Sequence, residues 1–153
     1  MRRSVVSVVV GFLAGALVVG LLEALGHRLY PPPAGIDLND PEALKTIIKS
    51  LPRGALIMVL VAWTAGSLTG GFVAALIALR RKTVHALIVG GLQMLAGGVT
   101  MLMIPHPSWF VITSFLVVIP ASSLGALAAY LLQQSGRPPG PQPYDMRDKN
   151  MAC

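Results

Sequence analysis

The sequence predicts an all-α fold: a membrane-spanning four-helix bundle with a short amphipathic interfacial helix in its first loop. Apolar stretches at about 5–25, 55–79, 84–104 and 109–132 each approach the ~20 residues a helix needs to cross hydrocarbon. The composition agrees, with 54% apolar and only 12% charged residues and a mean hydropathy of +0.71. So little polar surface cannot cover a soluble globule of this size, whereas a lipid-facing exterior removes the difficulty. Short connections make residues 1–134 one bundle, with residues 135–153 as a tail and no room for a soluble catalytic domain.

The net charge of +6 is read as topological. Arg2 and Arg3 precede the first span, Arg80, Arg81 and Lys82 fill the turn between the second and third, and Arg137, Arg147 and Lys149 lie in the tail. Threading four spans puts all of these on one side. The first loop carries Arg28, Lys45, Lys49 and Arg53, offset by Asp37, Asp40 and Glu42, and the turn at His106 has no Lys or Arg. By the positive-inside rule both termini are expected in the cytoplasm, and no nucleic-acid partner is expected.

The first span opens on Arg2-Arg3 and ends near Ala24-Leu25-Gly26, a pattern shared with secretory signals. Its apolar run is longer than such signals carry, so an uncleaved helix is expected. Tyr30-Pro31-Pro32-Pro33 is then a stiff, extended exit. Asp40 can cap a new helix with Pro41 in its first position, and Leu44, Ile47, Ile48 and Leu51 follow on one face with Lys45 and Lys49 opposite. That pattern over about 41–50 suits a helix lying on the membrane surface or packed across the mouth of the bundle.

Pro105-His106-Pro107 forces a tight reversal before the fourth span, where Trp109 and Phe110 mark the interface. Pro120 leaves the carbonyl of Leu116 without its usual donor and is expected to kink that span. The Pro- and Gly-rich tail has no helical periodicity and is expected to be disordered. Cys153, the sole cysteine, cannot form an internal disulfide.

Small residues recur at every fourth position of the second span: Ala62, Gly66, Gly70, Ala74 and Ala78. Such a seam lets a neighbouring helix approach closely, which is what drives association in lipid. Ser7, Gly11 and Gly15, then Ala86, Gly90 and Gly98, then Ala121, Gly125 and Ala129 repeat the spacing in the other spans. The pairs Gly70-Gly71, Gly90-Gly91 and Gly97-Gly98 point in two directions, because adjacent helical residues lie about 100° apart. Those helices are expected to touch two neighbours each. Bundling within one chain and association with further copies or other membrane subunits both follow from such seams.

Glu23 is the sole acidic residue within an apolar span, and carboxylates at depth are functional suspects. Counting from Val5 places it about 27 Å along the helix, close to the outer edge of a ~30 Å core. His27, one turn further on the same face, is expected to pair with it, as a structural contact or as a proton or ligand site. Gln93, near the middle of the third span, is expected to make an interhelical hydrogen bond or to line a polar path. Trp63 is too deep for the interfacial belt and is expected to bond a backbone or hydroxyl oxygen. Glu23, His27 and His106 share the predicted outer side, a donor set that suits zinc or iron, but their spacing has no metal signature, and neither a metal nor a cofactor is expected.

The stretch Glu23-Ala24-Leu25-Gly26-His27 through Tyr30-Pro31-Pro32-Pro33-Ala34-Gly35-Ile36-Asp37, together with Pro105-His106-Pro107-Ser108-Trp109-Phe110, resembles a group of small four-helix bacterial membrane proteins with no assigned activity. The likeness implies the same fold and residence in the bacterial inner (cytoplasmic) membrane. The expectation from the residues is a non-enzymatic membrane protein acting through helix packing, as a homo-oligomer or as a subunit or accessory of a membrane complex. The alternative is a small oligomeric transporter or channel that moves protons or a small solute along Glu23, His27 and Gln93. Enzymatic chemistry ranks last, because no nucleophile motif, phosphate-binding loop or dinucleotide fingerprint accompanies the few acid–base groups.

Overall fold

The computed structural model describes residues 2–31, 51–104 and 106–135. They form α1 (Arg2–Leu29), α2 (Arg53–Ile77), α3 (Lys82–Met103) and α4 (Ser108–Ser135), each long and apolar enough to span a membrane. The expected interfacial helix at 41–50, most of the polyproline exit and the tail from 136 onward lie outside the described residues. Two helices overrun their apolar stretches. α1 begins at Arg2 and continues to Leu29 because nothing between Arg2 and Pro31 forbids helix, and α4 runs unbroken through Pro120 and on through Gln133 and Gln134.

The link between α2 and α3 is short, and one residue takes an unusual conformation to close it. Ala78 donates its backbone N–H to Ala74 O at 3.0 Å. Arg81 then adopts φ 50°, the one positive φ at a non-glycine among the described residues, a left-handed turn costing about 1 kcal/mol that lets α3 double back on α2.

α2 sits at the centre and packs on all three other helices, while α1 and α4 flank the α2–α3 pair. The paired contacts show an up-down-up-down order. Gly11 meets Gly70 and Ala74 while Gly15 meets Gly66, so α1 is antiparallel to α2; Ser67 meets Val118 and Gly71 meets Ser122, so α4 is parallel to it.

Adjacent glycines let α2 take two neighbours at once. A Cβ on Gly70 would lie 2.9 Å from Gly11 O of α1, and a Cβ on Gly71 would lie 2.8 Å from Ser122 Cα of α4. On α4, Gly125 accepts the backbone of Leu68 and Phe72 in the same way. The expectation of two directions from one glycine pair holds for Gly70-Gly71. In the α3 pairs, Gly90 and Gly97 are packed against Ser122 and Trp63, whereas Gly91 and Gly98 have nothing within 4 Å.

At the end of the bundle near the α2–α3 turn, Ala75, Ala86, Ala126 and Ala129 form a close-packed alanine cluster roofed by Phe72. At the other end the filling is aromatic: fully buried Phe110 stacks on His106 at 5.0 Å and meets Trp63 and Trp109 edge-on at 5.7 and 5.9 Å. The bundle is thus filled by alanines at one end and by rings at the other.

Gly71→Ala is expected to lower stability by about 1–3 kcal/mol, since the atoms in the way are backbone and cannot move aside. Gly91→Ala, into open space, is expected to be neutral or slightly stabilising. Thermal unfolding of both variants in one mild detergent checks the contrast.

Candidate functional site

α1 buries few of its residues: Ser7, Gly11 and Gly15. All lie in its N-terminal half, where the glycines admit α2. Beyond Gly15 the helix has no buried residue, and a half-open cleft of about 270 Å³ separates it from α3. Phe12, Ala16, Val19, Gly20 and Glu23 line one wall, and Gln93, Ala96, Gly97 and Thr100 line the other. Trp63 of α2 and Val118 of α4 close the back. Ala16, Gly20, Ala96 and Thr100 are exposed, so the mouth opens sideways on the flank of the bundle. Counting from Phe12 to Glu23 gives the cleft a length of about 16 Å along α1.

Small residues create this space. Had α1 carried large side chains at positions 16 and 20, they would fill the gap, as Leu13, Leu17, Leu21 and Leu25 would if they did not point outward and stay exposed. On α3 the ring of Trp63 lies against Gly97, where a Cβ would come 2.8 Å from the indole Cη2. Gly97 therefore lets Trp63 reach across toward α1.

Trp63 Nε1 donates a hydrogen bond of 2.9 Å to Glu23 Oε1. This corrects two expectations. Glu23 takes its bond from Trp63 rather than from His27, which is exposed to the outside of the bundle. The indole N–H meets a carboxylate, not a backbone or hydroxyl oxygen. The reason is reach: side chains on both helices slant toward their own N-termini, and in antiparallel helices that slant brings Glu23 and Trp63 toward one level. Glu23 therefore faces inward, toward the back of the cleft. It is the only acidic residue among the described residues, with Asp37, Asp40, Glu42, Asp145 and Asp148 all outside them.

Gln93 departs further from expectation. Its amide packs against Gly15 of α1, yet neither Nε2 nor Oε1 has a hydrogen-bond partner, although both atoms are buried. An unpaired buried amide is costly by about 1–3 kcal/mol. Hydroxyls of the neighbouring helices and of α3 itself donate to backbone carbonyls. Ser67 Oγ donates to Val118 O at 2.7 Å, Ser122 Oγ to Ile119 O at 2.7 Å, and Thr64 and Thr100 to carbonyls of their own helices.

The structure thus brings Glu23 and Gln93 to one cleft and leaves the two histidines out of its lining. His106 sits in the α3–α4 connection, its Nδ1 2.7 Å from Ile104 O and its ring stacked on Phe110. Among the described residues no three His, Cys, Asp or Glu side chains gather as a metal site would require. Sequence reasoning missed Trp63 as the partner of Glu23, 40 residues apart; the available signal was two polar groups in consecutive antiparallel spans. The seam of Ala62, Gly66, Gly70, Ala74 and Ala78 is buried within this one chain, with α1 seated on Gly66, Gly70 and Ala74.

No protein-family model matches this chain, and searches of curated proteins and of solved structures found no similar protein.

Gln93→Leu is expected to raise stability by about 1–2 kcal/mol, because it removes two unpaired polar atoms from the interior. Trp63→Phe is expected to lower it by about 1.5–3 kcal/mol by stripping the donor from a carboxylate. Its coupling to Glu23→Ala, which removes the acceptor, read from a double-mutant cycle of denaturation in detergent, reports the bond itself.

Proposed function

We propose that this chain is a non-enzymatic, multi-pass protein of the bacterial inner membrane, with both termini cytoplasmic, that handles a proton or a small solute in the cleft between α1 and α3. The observation that carries the reading is the Glu23 carboxylate, held by Trp63 on the wall of a cleft that opens on the flank of the bundle. Ionisable groups facing a bundle interior usually mark pathways, since their desolvation is otherwise an unrewarded cost.

Glu23 has the chemistry for that role. One of its oxygens accepts the indole N–H, and a carboxylate has about four lone-pair positions in all, so acceptor capacity remains for a proton or a ligand. The cleft reaches Phe12, and about 15 Å of α1 lies between Phe12 and Arg2. Passage across the whole bilayer then requires α1 to shift, or a second copy to complete the path, which suits a small oligomeric carrier.

A second reading, a subunit or accessory that works by helix packing, is favoured by the open face of α3. Gly91 and Gly98 meet nothing within 4 Å and leave a shallow groove between exposed Leu95 and Leu102. Flux and packing separate in one preparation: purification in mild detergent shows whether a second protein accompanies the chain, and liposomes show whether it conducts. Under the first reading, liposomes carrying the protein show a proton or solute flux that Glu23→Gln removes while leaving expression and thermal stability close to wild type. His27→Ala is expected to leave the flux largely intact, because the imidazole lies outside the cleft.

A further inference from the structure

We infer that the cleft binds an ammonium group carried on an apolar body, with Glu23 as its counter-charge and the Trp63 indole as the ring beside it. The inference deepens the reading of Glu23 as a solute site and rests on it. The first ground is charge: Glu23 has no ion-pair partner among the described residues, and its hydrogen bond comes from a neutral donor. An anion in such a setting is best matched by a cation that also donates hydrogen bonds, which an ammonium does at two or three positions.

The second ground is the lining. Beside the carboxylate stands an indole that turns its N–H edge to Glu23 and lines the same cleft; a ligand cation that reaches its face meets the aromatic ring best suited to it. Phe12, Val19 and Val118 make the remaining walls apolar, and the mouth between Ala16, Gly20 and Ala96 lacks any side chain that would obstruct a ligand arriving from the bilayer.

The third ground is size. About 270 Å³ equals some nine water volumes at ~30 Å³ each, below the usual range for drug-sized ligands. It fits an ammonium head with a short alkyl segment. That chemistry has two sources, the headgroup of an aminophospholipid with its tails left in the bilayer, or a free alkylamine.

The test uses the full chain with Trp109→Phe, leaving Trp63 as its only indole, in nanodiscs of phosphatidylglycerol, a lipid without an ammonium. Titration with n-octylammonium is expected to change Trp63 emission saturably, and n-octanol is expected not to. Glu23→Gln keeps an oxygen for the indole N–H and is expected to weaken the response by at least about tenfold; Ala96→Leu, which fills the mouth without touching Glu23, is expected to do the same.

Repeating the titration with phosphatidylethanolamine added to the nanodiscs separates the sources. A weaker octylammonium response together with co-purified phosphatidylethanolamine supports the headgroup, and an unchanged response supports a free amine. Equal responses from octanol and octylammonium, a response that survives both Glu23→Gln and Ala96→Leu, or no saturable response with either lipid overturns the ammonium site. Glu23-dependent proton flux in liposomes of the same protein, measured alongside, would leave the transport reading standing when the ammonium site fails.

Discussion

Backbone-to-backbone approach at Gly70 and Gly71 is the constraint from which the rest of this bundle follows. Within lipid there is no hydrophobic gain in bringing helices together, so association depends on how many atoms touch, and side chains beyond Cα hold two backbones apart. Gly70 admits α1 and Gly71 admits α4 on another side of the same turn. With both flanks occupied, α2 becomes the central helix, and α3 closes against it through the turn at Arg81. The order of the bundle is set by a dipeptide with no side chains.

That tightness is unevenly distributed, and the candidate site lies where it lapses. Gly11 and Gly15 dock the first half of α1 on Gly66, Gly70 and Ala74, while toward the other end the Trp63, Phe110 and His106 rings occupy the interior. There the small residues Ala16, Gly20 and Ala96 leave a cleft between α1 and α3. The hydrogen bond from Trp63 to Glu23 ties the loosely packed half of α1 back to α2. One contact thus serves both as a tether for the helix and as the support of the only acidic side chain in the four spans.

The spans themselves were legible from hydropathy, because the length of helix needed to cross hydrocarbon leaves few alternatives. The seams were legible too, since fourfold spacing of small residues has a direct meaning on a helix: Gly11, Gly15, Gly66 and Gly70 lie where that spacing puts them, between α1 and α2. What the sequence left open was rotation and level. Glu23 has two neighbours at plausible distance, His27 one turn away on its own helix and Trp63 on the next. Only the depth at which α1 seats on α2 decides between them. The Gln93 amide was expected to be paired because buried amides usually are, and no spacing in the sequence marks it as the exception.

The Trp63–Glu23 bond also bears on how the chain is made. α1 is synthesised first, and its carboxylate emerges before its donor exists, 40 residues later in the chain. At about 5–20 residues per second, the interval is roughly 2–8 s. During that time Glu23 lacks the donor it has in the folded bundle. Position 23, close to the end of α1, is one where a carboxylate can wait in the headgroup layer and descend when α2 arrives. The residue that ends up lining the cleft is thereby also a clock for the second helix: until Trp63 is in place, α1 lacks the hydrogen bond that joins it to α2.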